Sequence, residues 1–514
     1  MKHIAPADNT PILVGAGQLT NRKPPLESPT PLTMMADVAR LAAANAGIAE
    51  ALLSQLDTVA TTRLASDSTE AKFPIGEYRN LPKSLGLAVG AAPTQCLMAG
   101  VGGNTPQQMV NAVAERIAAG KTEFALLAGS ENLQTLMGSI KSGVFPPWGD
   151  EVDGTPELIG SMAPGCSAHE QLYGFFYPIN TYPLFENALR EHRGTPLPAH
   201  MKKLGNMFSR MSAVAAENPL SWFPTFRSPE EISTVTEKNR YVGFPYTKYL
   251  NSVIQVDMAA AVIMTSVKKA RELGIPEERW VYLNGCADAQ DHWFMGEREN
   301  FYSSAPIRAA GKAAFGMAGI TPADLDFMDI YSCFPSAVQI ACHELGIDEE
   351  DKRGLTITGA MPYFGGPGNN YSMNSLATML DKLRAQPGSH GLVTANGWHI
   401  TKYSVGIYST QNLHAQWQPA PSVQAELDAR PKTPFVEVPE TGPATIETWT
   451  VTHNAQGPQE GILFLRLADG SRCLANTPAG DKELLERMKK TDCVGKRGTV
   501  SVVDGRNVFV PENI

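Results

Sequence analysis

The stretch Thr105-Pro-Gln-Gln-Met-Val-Asn-Ala-Val-Ala-Glu-Arg-Ile-Ala-Ala-Gly120 decides the fold. Its apolar residues Met109, Val113 and Ile117 recur every four positions, which is the spacing of one buried helix face. Gly120 follows the last of them, and glycine is a common residue at the end of a helix. The pattern therefore predicts a helix that fills this stretch.

The start of this helix and the segments on either side predict a parallel sheet. Thr105 is an N-cap candidate, Pro106 falls at the first helical position, and Gln108 completes a capping box. The apolar runs Cys96–Ala99 and Phe124–Ala128 are predicted to be buried strands. A strand, a helix and a second strand within about thirty residues form a βαβ unit, whose strands run parallel.

The second half of the chain repeats the same order of turns and elements, about 270 residues later. Three pairs of segments correspond: Ala46-Gly-Ile48 with Ala318-Gly-Ile320, Gly102-Gly-Asn104 with Gly365-Gly-Pro-Gly-Asn369, and Phe124–Ala128 with Gly391–Ala395. This agreement favours a duplicated α/β domain. The alternative is a chance similarity of the turns that punctuate strands and helices.

Changes in composition predict further divisions of the chain. Residues 131–250 are rich in aromatic residues, Met and Pro, and are too long for a loop, so they are predicted to be an inserted domain. The predicted organisation is a first half of residues 1–130 and 251–290, the inserted loop domain 131–250, a second half 291–412, a linker 413–440 and a β domain 441–514.

The C-terminal segment has the pattern of a small barrel. Several prolines stiffen the linker before it. Asp469-Gly470 and Asp504-Gly505 separate pairs of short apolar runs, which is a hairpin signal. One helix is predicted at Lys482–Lys490. The pattern is compatible with an all-β, five-stranded OB-like barrel.

Composition excludes several classes of protein. The 514 residues are 43% hydrophobic and carry a net charge of −9, which argues against a broad basic surface for nucleic acid. No run of 18 apolar residues predicts a membrane span, and the N-terminus lacks the apolar core of a signal peptide. The seven cysteines are scattered without C-x-x-C spacing, which predicts neither a disulfide framework nor a zinc site. We therefore expect a soluble cytoplasmic protein.

Generic catalytic motifs are missing, and four loops remain as candidates. There is no phosphate-binding G-x-x-x-x-G-K motif and no G-x-S-x-G motif, and Val14-Gly-Ala-Gly-Gln18 is better explained as a tight turn. Parallel sheets place ligands at the carboxyl ends of their strands. The loops predicted there are Gly100–Thr105, Tyr331–Pro335, Phe364–Tyr371 and Asn396–Tyr403.

Over residues 8 to 412 the sequence resembles the thiolase superfamily, and in particular its sterol-carrier-protein thiolase branch. The resemblance includes the duplicated halves, the inserted domain and the phrase Asp257-Met-Ala-Ala-Ala261, which is similar to the family's Asp-Gly-Ala-Ala-Ala. The tail after residue 435 resembles the additional domain of thiolase-like proteins of type 1. The resemblance implies a five-layer αβαβα fold and a coenzyme A thioester as substrate or ligand, with no other cofactor and no metal.

The resemblance also implies that the usual nucleophile is missing. In the family a catalytic Cys heads the helix that corresponds to 105–119, and this position matches Gly103. Cys96 lies seven residues upstream and is expected to be a buried structural thiol. The family's Gly-His-Pro loop matches Gly365-Gly-Pro367, so Gly366 replaces the activating His. We therefore expect no acyl transfer through a cysteine thioester.

Other site residues follow from the resemblance. Tyr331-Ser-Cys-Phe334 matches the family's His-Asp-Cys-Phe, so Cys333 would be the acid/base and Tyr331 an oxyanion-hole donor; a simple packing role for Cys333 remains open. In the loop Asn396-Gly-Trp-His399, Asn396 would donate to an oxygen, and His399 is either an acid/base or a core histidine. The residues expected to contact substrate are Gly103, Asn104, Gly365, Gly366 and Asn369.

These expectations leave three functions open. The first is an acyl-CoA acyltransferase-like enzyme, similar to acetyl-CoA acetyltransferases, with a non-standard mechanism. The second is a non-catalytic protein that binds coenzyme A thioesters. The third is an aldol or retro-aldol C–C lyase on acyl-CoA, because related aldolases also have a Tyr at the position of Tyr331. The partner in each case is acyl-CoA, and the chain is expected to be either a homodimer or a monomer, since family members dimerise through first-half strands.

Overall fold

The computed structural model describes residues 4–68 and 74–514. The first half begins with four strands and three helices in alternation. These elements are β1 (Pro11–Thr20), α1 (Pro31–Ala46), β2 (Thr58–Thr61), α2 (Leu81–Ala88), β3 (Gln95–Ala99), α3 (Thr105–Ala118) and β4 (Phe124–Asn132).

The inserted region follows β4 and is mainly helical. It contains α4 (Leu133–Ser142), β5 (Glu157–Ile159), α5 (Ala168–Leu172), α6 (Pro178–His192), α7 (Leu197–Glu217), α8 (Pro229–Ser233), β6 (Tyr241–Gly243) and β7 (Tyr246–Thr247). The first half then closes with β8 (Asp257–Ser266) and α9 (Val267–Glu272). The second half begins with β9 (Val281–Gln290), which the predicted boundary at residue 291 had left in the first half. It continues with α10 (Ala305–Ala318), β10 (Phe327–Asp329), α11 (Pro335–Leu345), α12 (Tyr371–Ala385), β11 (His390–Gly397) and β12 (Lys402–Ser409).

The predicted duplication is visible in the order of the strands. The first half is ordered β3-β2-β4-β8-β1 and the second half β10-β11-β12-β9, and the two are joined where β1 pairs with β9. When the strands of each half are numbered in chain order, both halves place the second, fourth, fifth and first strands side by side in that order. The described segment 346–370 forms no strand, so the second half lacks a counterpart of the third strand. Helices α3 and α12 pack between the two halves of the sheet, while α1 and α10 cover the outer faces. The five-layer αβαβα fold is therefore confirmed.

Two glycines show how closely the halves repeat each other. A Cβ on Gly15 of β1 would lie 2.2 Å from the carbonyl oxygen of Ala42 in α1. A Cβ on Gly285 of β9 would lie at the same 2.2 Å from the carbonyl oxygen of Ala314 in α10. In both halves only glycine lets the outer helix approach the first strand this closely.

The predicted cap of α3 is wrong. Asn104, one residue earlier than expected, is the N-cap, and no side chain caps the helix. Thr105 lies inside the first turn and is buried, and its hydroxyl points to the carbonyl oxygen of Asn369 at 3.5 Å. The Thr105 hydroxyl therefore contacts the second half and does not cap α3 as the local sequence had predicted.

The C-terminal segment is a closed barrel, as predicted. After α13 (Gln424–Asp428) it contains β13 (Gly442–Asn454), β14 (Gly457–Leu467), β15 (Arg472–Asn476), α14 (Lys482–Met488), β16 (Arg497–Val503) and β17 (Arg506–Pro511). Its strands are ordered β13-β14-β15-β17-β16 and close by pairing of β16 with β13. Strands β6 and β7 of the inserted region extend this sheet from the edge of β13, so the barrel and the inserted region share hydrogen bonds.

In the described part of the chain, no helix combines the length and the apolar character that crossing a bilayer requires. The free edge of β3 is covered by a short strand of the same chain. Strand β5 pairs in parallel with β3, from Leu97 opposite Glu157 to Ala99 opposite Ile159. Strand β5 is then the edge of the sheet, and its three residues offer a second copy only a short row of free backbone groups.

We expect the full chain to be a monomer, because β5 occupies the first-half edge through which the superfamily is expected to dimerise. Light scattering behind size-exclusion chromatography should give a mass near 55.4 kDa at micromolar concentration. A stable mass twice as large would contradict this expectation.

Candidate active site

Loops from both halves meet at the starts of α3 and α12. The backbone N–H of Gly102 donates to the side-chain oxygen Oδ1 of Asn369 over 2.9 Å, and the hydroxyl of Ser372 donates to the carbonyl oxygen of Gly103 over 2.9 Å. The N–H of Asn369 in turn donates to the side-chain oxygen Oε1 of the buried Glu131, whose pKa burial raises to about 8. These bonds fix the Gly102–Asn104 loop against the second half.

The phenol of Tyr331 occupies the space beside Gly103. A Cβ on Gly103 would lie 1.8 Å from the hydroxyl oxygen of Tyr331 and 2.8 Å from the carbonyl oxygen of Asn396. No side chain fits at position 103 unless Tyr331 moves. Tyr331 is 5% exposed, and burial together with the neighbouring Cys333 and Tyr371 raises the pKa of its phenol well above the usual 10. The hydroxyl is therefore a neutral donor at physiological pH.

The space beside Gly366 is also filled. A Cβ on Gly366 would lie 2.1 Å from the hydroxyl oxygen of Ser252. The N–H of Ser252 donates to the carbonyl oxygen of Cys333, and the N–H of Gly366 donates to that of Val253. Gly365 has a positive φ of 118° and lies against the sulfur of Met258. The segment 252–253 thus holds the loops of Cys333 and Gly366 together.

Cys333 lies in a small hydrogen-bonded group. The side-chain amide Nδ2 of Asn396 donates to the sulfur of Cys333 at 3.9 Å and to the hydroxyl of Tyr182 at 2.9 Å. The Tyr182 hydroxyl donates to the carbonyl oxygen of Trp398 over 2.7 Å. Burial raises the pKa of Cys333 to about 12, so this residue is a thiol at neutral pH. A thiol can donate a hydrogen bond but is a weak nucleophile.

His399 is buried in the adjacent loop. Its Nδ1 lies 2.8 Å from the hydroxyl of Thr181, and burial, followed by the charge of Arg298, lowers the pKa of its imidazole to about 3. The imidazole is therefore neutral at pH 7. Its neighbours Trp398 and Ile400 both have positive φ, 56° and 57°, which is strained backbone for residues with side chains.

Two buried arginines hold this strained loop to the barrel. Arg298 donates to the carbonyl oxygen of His399 over 2.5 Å and to the hydroxyl of Thr401 over 2.8 Å. The carbonyl oxygen of Arg298 accepts a 2.6 Å bond from Arg472 of β15, which is fully buried and forms a two-bond ion pair with Glu447. The barrel is therefore connected to the site loop through two side chains.

The structure brings together most of the residues that the sequence singled out. Tyr331, Cys333 and Asn396 converge near Gly103, and Asn369 bonds to the same loop. Sequence reasoning missed four neighbours: Tyr182, Ser252, Arg298 and Arg472. None of them belongs to a motif, since each reaches the site from a segment that is distant along the chain. Residues 4–68 and 74–514 contain no group of three His, Cys, Asp or Glu side chains placed to hold a metal ion.

Known families match two parts of the chain. Residues 422–505 match the family model described as the thiolase-like protein type 1 additional C-terminal domain. Residues 287–366 match the one described as thiolase C-terminal domain-like. The crystal structure of a monomeric SCP2-thiolase-like protein type 1 from Mycobacterium smegmatis has a TM-score of 0.84 and 35% sequence identity, and the alignment covers 98% of this chain and 99% of that one.

More distant proteins match less of the sequence. The Ltp2–ChsH2 aldolase has a TM-score of 0.59 and 18% identity over 79% of this chain and 99% of that chain, which shows a shared fold alone. An acetyl-CoA acetyltransferase of Methanocaldococcus jannaschii is 28% identical over 154 residues, or 26% of this chain and 39% of that protein. That of Methanothermobacter thermautotrophicus is 27% identical over 169 residues, or 32% and 42%. The chain thus spans less than half of these curated relatives.

The contact between Gly103 and Tyr331 predicts a specific coupling. Gly103→Ala should lower the free energy of unfolding by about 1–3 kcal/mol, because the new methyl group overlaps the phenol. In a Tyr331→Ala background the same change should cost at least about 1 kcal/mol less. Urea unfolding of the four proteins measures the difference.

Gly316→Ala is the matched control, because no atom lies within 4 Å of a Cβ at that helical position. It should leave stability unchanged or raise it by up to about 1 kcal/mol. An equal cost of Gly103→Ala in both backgrounds would show that Tyr331 does not fill the space.

The arginine connection predicts that a change in the barrel loosens the site loop. Arg472→Met removes the donor to the carbonyl oxygens of Gly296 and Arg298 and should destabilise the protein by about 2–3 kcal/mol, although Glu447 keeps its pair with Arg466. It should also speed hydrogen exchange at the backbone amides of 396–402. Arg497→Met, an exposed change in the same barrel, should alter stability by less than about 0.5 kcal/mol and leave that exchange unchanged. Destabilisation with normal exchange in the loop would refute the connection.

Proposed function

Because this chain belongs to the family of SCP2-thiolase-like proteins of type 1, we propose that it binds acyl-CoA thioesters without forming a covalent acyl-enzyme. The proposal rests above all on the hydroxyl of Tyr331, which fills the space that a nucleophilic side chain at position 103 requires. The filled space beside Gly366 supports it, because that position lacks the base that would activate a nucleophile.

The charge state of the site supports binding of a polarised carbonyl. Tyr331 and Cys333 are both protonated at neutral pH, and the amide of Asn396 donates to the sulfur of Cys333 and so orients its thiol. Neutral donors that are held in place stabilise a partial negative charge on a thioester oxygen without a nucleophile. His399 is neutral as well, so none of these four groups is a strong base at pH 7.

A second candidate is a C–C lyase that uses the same donors. In a retro-aldol step water takes the proton of the β-hydroxyl of a 3-hydroxyacyl thioester, and the β-carbon becomes that of an aldehyde or ketone. The Cα–Cβ bond breaks, and its electron pair passes to the thioester as an enolate. Tyr331 supports this candidate, because its phenol lies beside the Gly103 loop and could donate to the enolate oxygen. The enolate carbon would then take up a proton.

We also propose a reducing compartment and a metabolic role for the protein. All seven cysteines are free thiols, which supports a reducing compartment such as the cytoplasm. Affinity for acyl-CoA would place the protein in lipid metabolism.

Titration calorimetry with acetyl-CoA and longer acyl-CoAs tests the main proposal. We expect saturable binding to the wild-type protein and no acyl adduct in its intact mass. Tyr331→Phe and Cys333→Ala each remove one donor and should weaken binding of the thioester by about 3- to 10-fold. Binding of free coenzyme A, which has no thioester carbonyl, should change less.

Cys96→Ala is the control, because this half-buried thiol lies at the start of β3, outside the Tyr331–Cys333–Asn396 group. It should bind acyl-CoA like the wild type. A mass increase by one acyl group at any cysteine would overturn the non-covalent proposal. Release of an aldehyde or ketone from a 3-hydroxyacyl-CoA, lost in Tyr331→Phe, would establish the lyase instead.

A further inference from the structure

A polar cavity lies beside the Gly102–Asn104 loop. Its volume is about 370 Å³, and it is lined by the start of α3 and by one face of β9 and β12. We call it the Lys402 cavity. Its polar lining includes Asn104, Gln108, Asp288, Lys402, Ser404 and Gln424. Tyr331, Cys333 and Asn396 are not among its lining residues.

Lys402 contributes a buried amine without an acidic partner. The residue is 5% exposed, its Nζ donates to the carbonyl oxygen of Val101, and it forms no ion pair with the described carboxylates. Burial lowers the pKa of the amine to about 8, so the amine still carries a charge at pH 7. A buried charge without a counter-charge is costly. A ligand anion in the cavity would offset that cost.

The start of α3 adds to the positive potential at this end of the cavity. The first turn of a 14-residue helix carries partial positive charge, although the N–H of Thr105 already donates to the carbonyl oxygen of Gly102 and Pro106 has no N–H. Asn104 is 1% exposed, and its Oδ1 accepts no hydrogen bond from the described residues. The amide oxygen is therefore available to a donor on a ligand.

The opposite end of the cavity accepts donors. In the antiparallel register Ser404 faces Asp288 and Lys402 faces Gln290, so all four side chains share one face of the sheet. The diagonal from Lys402 to Asp288 is about 7–8 Å between Cβ atoms. Asn111 donates to Oδ2 of Asp288 over 3.1 Å, which leaves Oδ1 for another donor.

We propose that the Lys402 cavity binds a short hydroxycarboxylate, whose carboxylate contacts the amine of Lys402 and whose hydroxyl donates to Asp288. The amide groups of Gln108 and Gln424 suit the polar body of such a molecule. Asn104 is the one expected substrate contact that also lines this cavity. The Tyr331–Cys333–Asn396 group does not line it, so failure of the acyl-CoA proposal leaves this one standing.

Ligand-observed NMR at pH 7 tests the proposal. It measures the binding of 4-hydroxybutanoate, butanoate and butan-1-ol to the full chain. We expect 4-hydroxybutanoate to bind most tightly and butan-1-ol at least tenfold more weakly. Lys402→Met should weaken binding of both carboxylates at least tenfold. Asp288→Asn should abolish the preference for the hydroxyl and leave the affinity for butanoate nearly unchanged.

Lys382→Met, an exposed lysine change on α12, is the control and should bind like the wild type. A wild-type pH series tests the site without any variant. Apart from Lys402, the titratable side chains that line the cavity are Asp288 and Tyr403, and Glu115 acts on Asp288 from α3. Affinity for the carboxylates should fall as the pH rises past about 8, because the amine loses its proton. No binding, or equal binding by wild type and Lys402→Met with no fall above pH 8, would overturn the proposal.

Discussion

The packing of α3 against α12 between the two halves of the sheet is the constraint on which the site depends. Each helix starts directly after a glycine-rich loop, so burial of the helices brings both loops to one point. The bond from Gly102 N–H to Asn369 and the bond from Ser372 to Gly103 then fix the loops to each other. The duplication provides one such helix in each half. Because both helices lie at the centre of the fold, the two loops that precede them form one site.

Glycine at positions 103 and 366 changes what this site can do. Each glycine faces a side chain from elsewhere in the chain, the phenol of Tyr331 in one case and the hydroxyl of Ser252 in the other. Protein interiors are closely packed, so these groups take the volume that reactive side chains would use. Placing a thiol at position 103 would therefore require a second change at Tyr331. At both positions the packing itself excludes a larger side chain.

The sequence was sufficient for the parts of the fold that depend on local pattern. The periodicity of Met109, Val113 and Ile117 predicted α3, and the turn signals at Asp469-Gly470 and Asp504-Gly505 predicted the barrel hairpins. What it could not predict depends on distant contacts. The hydroxyl of Thr105 contacts Asn369 and does not cap its helix, and β5 pairs with β3 although only three residues form the strand. Tyr331 could be placed in a site loop, but its contact with Gly103 required the fold.

The additional barrel is part of the structure that holds the site. Trp398 and Ile400 adopt a backbone conformation that residues with side chains rarely adopt, and such strain persists only where the surroundings enforce it. Tyr182 and Arg298 bond to the carbonyl oxygens of Trp398 and His399, and Arg472 bonds to the carbonyl oxygen of Arg298. Arg472 belongs to β15, so without the barrel the carbonyl oxygen of Arg298 would lose its buried hydrogen-bond donor. The barrel therefore supports the geometry of the 398–400 loop indirectly, because Arg472 bonds to Arg298 and Arg298 bonds to the loop.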